Sequence, residues 1–189
     1  MEKQSPKYLT PEEYLALEEA AEFRSEYYRG KMSPREGESL NHNRIVGNLI
    51  ANLHYALKNK NCQVFAIDLR LWIKARDMFT YPDVLVVCGK AEFYPGRDDT
   101  VANPVVIFEV LSESTKNYDR GEKFEIYRAI PTLKEYILVD QYRLHLEHFS
   151  KNGQGKWVLE EFEDLNAMLN LPEIEFQISL KEIYDKVEL

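Results

Sequence analysis

From Ser39 onward, apolar side chains recur at intervals of three and four: Ile45, Val46, Leu49, Ile50, Leu53 and Leu57. That spacing predicts a long amphipathic helix of about five turns with one stripe against a core. Beyond it the period drops to two. Phe65, Ile67, Leu69, Leu71 and Ile73 alternate with Ala66, Asp68, Arg70 and Trp72, which predicts one half-buried strand. Two denser apolar runs follow, Val84-Leu85-Val86-Val87 after Tyr81-Pro82-Asp83, and Val105 to Leu111 after Asn103-Pro104. Short apolar runs bounded by turn residues predict central strands covered on both faces, with proline tolerated only at the start. At period two, Val105, Ile107, Glu109 and Leu111 share one face, and Val106, Phe108 and Val110 the other. Glu109 therefore lies on an otherwise apolar row. An unpaired carboxylate there costs several kcal/mol or takes up a proton, so it needs a cation, a metal or a task.

Local signals place the remaining elements. Thr10-Pro11-Glu12-Glu13 combines a cap, an N1 proline and a capping-box glutamate, predicting a helix to about Ala21 with Tyr14, Leu15 and Leu17 as its stripe. Phe23 to Met32 reads as a hairpin turning at Arg29-Gly30 and closed by Ser33-Pro34, with Glu26 in its first arm. Cys88 to Asn103 reads as a long polar connection. Asp119 is expected to cap a helix from Arg120 to Ala129, ended by Pro131. Strands are expected at Leu133–Val139, Leu144–Phe149, Trp157–Phe162 and Ile174–Ile178. Ser179 and Glu182 then form a capping box that starts a C-terminal helix. The order predicts an α/β or α+β fold, a central mixed sheet flanked by helices.

Composition narrows the class. A chain of 189 residues that is 44% hydrophobic suits one domain with an ample core, spanning 1–189. The net charge of −8 argues against a module held on nucleic acid by charge alone, though less against an enzyme whose metal ions neutralise its site locally. Cys62 and Cys88 have no metal-ligand spacing and make no disulfide framework, so a reducing cytoplasmic setting is expected. No apolar run approaches membrane-spanning length, and the N-terminus lacks a signal-peptide core, so a soluble protein is expected. His145 and His148 do not share a strand face, which argues against a zinc site there. Asp68 and Arg70 read as a strand-face pair or as solvated charges.

Three residues carry the candidate chemistry. Asp83 opens one buried strand, Glu109 sits in the next, and Lys123 lies on the helix after that. Consecutive strands are usually neighbours, so the two carboxylates are expected close together, where they raise one another's pKa unless a cation intervenes. Hard oxygen ligands of this kind suit Mg²⁺ or Mn²⁺. Asp119, Lys123 and Tyr127, spaced by four, are expected on one helix face.

The run Tyr81-Pro82-Asp83 followed by Phe108-Glu109-Val110-Leu111-Ser112 resembles the PD-(D/E)xK superfamily of restriction-endonuclease-like nucleases. More narrowly, the chain resembles the Uma-type endonuclease family of bacteria. That likeness rests on the hairpin from Ser25-Glu26-Tyr27 to Met32-Ser33-Pro34, on His42, and on Glu109-Val110-Leu111-Ser112-Glu113-Ser114-Thr115. Asp119-Arg120-Gly121-Glu122-Lys123 and Glu135-Tyr136-Ile137-Leu138-Val139-Asp140 complete it. The superfamily pattern puts its lysine two residues after the acid, where this chain has Leu111, so Lys123 would be a relocated lysine. The resemblance implies a Mg²⁺-dependent (or Mn²⁺-dependent) endonuclease hydrolysing DNA phosphodiesters. It implies Asp83, Glu109 and the Val110 carbonyl as metal ligands, Lys123 on the attacking water, Glu26 and His42 as accessory residues, and a homodimer. The rival reading keeps the nuclease fold as an inactive interaction or regulatory module.

Overall fold

A computed structural model of the chain describes residues 8–35, 37–66, 68–113 and 115–189. Helix α1 (Pro11–Ala20) starts on the expected capping box, with Thr10 and Glu13 bonded reciprocally. It buries Tyr14, Leu15 and Glu18, whereas Leu17 stands exposed, a correction to the expected stripe. Strands β1 (Ser25–Tyr28) and β2 (Lys31–Pro34) pair antiparallel across Arg29-Gly30. Both turn residues have positive φ, 46° and 85°, as a two-residue turn of this hand requires. A Cβ on Gly30 would also meet the Tyr8 side chain at 2.8 Å. Helix α2 (Leu40–Leu57) has the predicted length and is capped by Ser39, whose hydroxyl accepts the His42 N–H.

The alternating stretch expected as one strand is two. Strand β3 (Cys62–Ala66) and strand β4 (Arg70–Ile73) belong to different sheets. Alternation shows which residues face inward but does not reveal a corner where the chain changes sheet. Ile67 of that stretch lies outside the described residues, as does Ser114 of the Glu109–Thr115 string. Nor do Asp68 and Arg70 pair. Asp68 is exposed, with Arg24 at 3.6 Å, while buried Arg70 donates to the Tyr81 hydroxyl and Thr100 Oγ1. Two further short strands follow, β5 (Met78–Thr80) and, after β6 (Val84–Cys88), β7 (Thr100–Val101) inside the stretch read as connection.

Strand β8 (Val106–Leu111) is buried throughout. A helical segment follows: α3 (Lys116–Tyr118), a π-helical turn (Asp119–Lys123) and α4 (Phe124–Tyr127). Asp119 is not a helix cap but an internal, buried residue of this segment. The chain ends with β9 (Glu135–Asp140), β10 (Leu146–Lys151), β11 (Trp157–Phe162), β12 (Met168–Leu171), β13 (Phe176–Ser179) and α5 (Leu180–Ile183). Ile174, expected in the last strand, instead ends a 3₁₀ turn.

A six-stranded mixed sheet forms the centre, in the order β11-β10-β9-β8-β6-β3, with β8 and β9 parallel and the other pairs antiparallel. The two faces of β8 divide as the sequence predicts, but Val105, expected on the face of Ile107, lies just before the strand and packs on the α2 side. Val106, Phe108 and Val110 join Ile45, Leu49 and Leu53 of α2 in one apolar cluster. Ile107 and Leu111 join Phe124 and Tyr127 of α4 and Leu71 and Met78 of the second sheet in another. That second sheet runs β2-β1-β5-β4-β7. At the edge of the central sheet, Cys62 and Cys88 stand opposite one another on β3 and β6 and form a disulfide. This corrects the reading of two unpaired cysteines: direct cross-strand opposition brings their Cα atoms to 4.0 Å, a relationship that sequence spacing does not reveal. Among the described residues no helix is long and apolar enough to cross a membrane.

Candidate active site

Strand register brings the two acids together. β6 and β8 pair Val84 with Phe108 and Leu85 with Ile107, so one step further places Asp83 across from Glu109. Pro82 offers no N–H to continue the ladder, and the Asp83 side chain takes over: its Oδ2 accepts the Val110 N–H at 2.8 Å. Asp83 and Glu109 are 6% and 3% exposed.

Lys123 reaches the same place from the π-turn. Its Nζ stands 2.9 Å from Glu109 Oε1, 3.2 Å from Asp119 Oδ1 and 3.9 Å from Glu26 Oε1. The Tyr136 hydroxyl donates to the Asp119 carbonyl at 3.1 Å and ties the turn to the sheet. Tyr127, four residues beyond Lys123, donates its hydroxyl to Glu109 Oε1 at 2.6 Å. Leu111 is 1% exposed and packs in the apolar cluster, so the position where the superfamily carries its lysine is filled by core and the charge comes from the helical segment.

The accessory residues converge too. Glu26 on β1 accepts the Thr80 hydroxyl and lines the same cavity, of about 270 Å³, as Asp83, Glu109, Val110 and Lys123. His42, in the first turn of α2, puts Nε2 at 3.1 Å from Asp83 Oδ2 and 3.5 Å from Glu38 Oε2. Arg35 places Nη2 3.3 Å from Asp83 Oδ1. Arg35 and Glu38 were not singled out from the sequence, and Tyr127 was expected only to share a helix face with Asp119 and Lys123. Arg35 and Glu38 lie in irregular chain between the hairpin and α2, where no periodicity applies. The only signal for Glu38 is its place four residues before His42, and for Tyr127 its place four beyond Lys123.

The electrostatics follow from this crowding. Among the described residues, five carboxylates (Glu26, Glu38, Asp83, Glu109 and Asp119) face two permanent cations, Arg35 and Lys123. Burial pushes the Glu109 carboxyl up to about 8; Lys123 opposes the rise and Asp83 adds to it. Burial also acts to raise Asp83, but the His42 hydrogen bond, its charge and the Val110 N–H outweigh it and hold that carboxyl below its ordinary value. For Lys123, burial disfavours the ammonium, yet Glu109, Tyr127, Asp119 and Glu26 together hold its pKa well above the usual lysine range. The pair thus contains a carboxyl that ionises reluctantly and an ammonium that does not give up its proton near neutrality. An acid excess of this kind, built from oxygen donors, fits a hard divalent cation. Among the described residues, the Tyr127 and Lys123 contacts to Glu109 both fall on Oε1, so Oε2 is the oxygen such an ion would take.

A mixed central sheet flanked by helices, with Asp, Glu and Lys gathered at one end of adjacent strands, defines a restriction-endonuclease-like fold. A crystal structure of a putative nuclease belonging to DUF820 from Anabaena variabilis is similar in fold, with a TM-score of 0.76 over 93% of this chain and 97% of that one, at 18% identity. The chain belongs to the Uma2 family, described as putative restriction endonuclease, whose profile matches residues 11–181. Two uncharacterized proteins of Synechocystis are relatives. One, sll1609, is 41% identical over 90% of this chain and 93% of its own length; the other, slr1290, is 33% identical over 93% and 91%.

Proposed function

We propose that this protein is a divalent-metal-dependent endonuclease that hydrolyses phosphodiester bonds in DNA. The observation that carries the reading is the convergence of Asp83, Glu109 and Lys123, with Lys123 Nζ 2.9 Å from Glu109 Oε1. Asp83 and Glu109, with the Val110 carbonyl, would hold Mg²⁺ or Mn²⁺. When bound, the cation supplies Lewis-acid stabilisation of charge on the phosphoryl oxygens.

The chain's own residues supply the rest. Lys123 remains an ammonium, so its role is to orient the attacking water and stabilise developing negative charge, not to act as general base. Arg35, 22% exposed at its side chain and facing the cavity, is placed to meet a phosphate oxygen, for which a guanidinium fork is suited. Phosphoryl transfer asks mainly for positioning and charge stabilisation, and this set is arranged for both. A homodimer, which the family resemblance implies, would supply two such sites for the two strands of a duplex.

The test is nicking of supercoiled plasmid by purified protein with Mg²⁺ or Mn²⁺. Cleavage that disappears in Asp83→Ala and in chelator supports the reading. Cleavage equal to that of Asp83→Ala with both metals overturns it for DNA.

A further inference from the structure

A second chamber, of about 500 Å³, shares Arg35, Glu38 and Asp83 with the cavity that holds Glu109, and His42 lines this second chamber. Among the described residues, Glu38, His42 and Asp83 are the one group of three or more His, Cys, Asp or Glu side chains whose ligand atoms all lie within 4.8 Å of one another. Two of the three spacings, those from His42, match a coordination shell. With metal–ligand bonds of about 2.1 Å, adjacent donors stand about 3.0 Å apart in an octahedron and about 3.4 Å apart in a tetrahedron. His42 Nε2 lies 3.1 Å from Asp83 Oδ2 and 3.5 Å from Glu38 Oε2.

We propose that Glu38, His42 and Asp83 form a second divalent-cation site, which shares Asp83 with the Asp83–Glu109 site and takes a transition-metal dication in preference to Mg²⁺. The preference follows from the donor set. An imidazole nitrogen suits Mn²⁺, Co²⁺ or Zn²⁺ better than Mg²⁺, which selects oxygen and keeps its water. The site shares a ligand with the proposed nuclease centre but does not depend on Glu109.

A second observation concerns the imidazole ring. His42 is 4% exposed, and its Nδ1 has no hydrogen-bond partner among the described residues. The ring is therefore fixed through Nε2 alone. In the metal-free protein Nε2 faces Asp83 Oδ2 and Nδ1 has no partner among the described residues. With a cation on Nε2 the ring proton sits on Nδ1, which is then a bare donor. One unsatisfied ring nitrogen is present in both states, so the missing partner does not oppose binding.

Arg35 explains how the acids are balanced without the cation. Its Nη2 lies 3.3 Å from Asp83 Oδ1 and 3.9 Å from Glu38 Oε1, so the guanidinium offsets the charge of both carboxylates through the oxygens that do not face His42. The side chain is partly exposed and lines both chambers, which gives it room to withdraw. Arg35 and the cation are competitors for the same two carboxylates.

The experiment is a Co²⁺ titration of the full chain, read by visible absorption and by the number of ions bound, with circular dichroism as the folding control. His42→Ala and Glu38→Gln are each expected to remove one bound ion or weaken it at least tenfold. Glu109→Gln should keep that ion, and Arg35→Met should tighten it several-fold. Mg²⁺ should compete for it at least tenfold less well than Mn²⁺. Since Glu38 is the more exposed ligand, Glu38→Gln decides if His42→Ala fails to fold. Unchanged number and affinity in Glu38→Gln, or Co²⁺ bound only through Glu109, overturns this site while leaving the Glu109 centre intact. Loss in Glu38→Gln with no effect of Glu109→Gln keeps this site and removes the Glu109 centre.

Discussion

The Lys123 ammonium meets the Glu109 carboxylate at 2.9 Å, although the two side chains come from a helical turn and a sheet strand fourteen positions apart. Both are buried and each changes the other's chemistry. Lys123 opposes the rise of the Glu109 pKa, and Glu109 helps keep Lys123 charged. Their coupling makes Lys123 the first target for mutation.

Lys123→Met removes the ammonium and leaves an aliphatic stem of similar length. DNA nicking is expected to fall about 10²–10³-fold, the usual loss for a preorganised charge donor. In the same variant Glu109 should become harder to ionise. Plasmid nicking at saturating Mn²⁺ checks this, and activity within a few-fold of wild type would exclude Lys123 from the chemistry.

Tyr127→Phe deletes only the hydroxyl that donates to Glu109 Oε1 at 2.6 Å. A hydrogen bond to a charged group contributes about 1.5–3 kcal/mol. Because this one favours the carboxylate, its loss should raise the Glu109 pKa further and weaken cation binding roughly tenfold or more. Calorimetric titration with Mn²⁺ measures it; equal dissociation constants in both proteins would rule the hydroxyl out of the site.

The pH dependence of the metal-free protein follows from Glu109. Between its ordinary value of 4.5 and about 8, the unfolded chain gives up this proton while the folded protein keeps it. The folded state then binds more protons, so this group's contribution to stability falls as pH rises through that window. Glu109→Gln has no such titration. The melting temperature of wild type minus that of Glu109→Gln should therefore decline from pH 5 to pH 8. A cation that needs the carboxylate should bind more tightly over the same range. A difference that stays flat with pH contradicts the assignment.

The Cys62–Cys88 disulfide closes a loop of sequence separation 26. Chain entropy then predicts that reduction lowers stability by roughly 3 kcal/mol. Urea unfolding with and without dithiothreitol tests this, using Cys62→Ser/Cys88→Ser as the permanently open form. Identical midpoints in all three would mean that the unfolded chain is not restrained by this link.

Much of this was legible in the sequence, for identifiable reasons. The five-turn helix, both capping boxes and the two-sided burial of the strand carrying Glu109 follow from periods and local chemistry that the sequence displays directly. Asp83, Glu109 and Lys123 could be selected because each is a charged residue near an apolar run, and their convergence needed only neighbouring strands. What stayed hidden depends on non-local geometry. Leu69 and Leu71 continue the alternation of Phe65 without announcing the corner between two sheets. Cys62 and Cys88 become partners only once β3 and β6 are in register. Arg35 and Glu38 belong to no periodic element, so nothing in their spacing foretold that they would meet Asp83.

The π-turn at Asp119–Lys123 bears on how tightly the candidate site is encoded. A π-turn amounts to an α-helix that has accepted one extra residue, and in an α-helix one residue corresponds to about 100° of rotation. Gly121 lies in that turn and a Cβ there would meet nothing within 4 Å, so side-chain substitution at this position is sterically free. Deletion is a different matter. Shortening the turn by one residue would restore regular winding and rotate Asp119 and Lys123 about 100° out of phase. One of them would then leave the cavity, and the Glu109 carboxyl would lose either its cation or the acid that helps hold that cation charged. The turn thus leaves room for a side chain at Gly121, but it fixes both the charges at Asp119 and Lys123 and the number of residues between them.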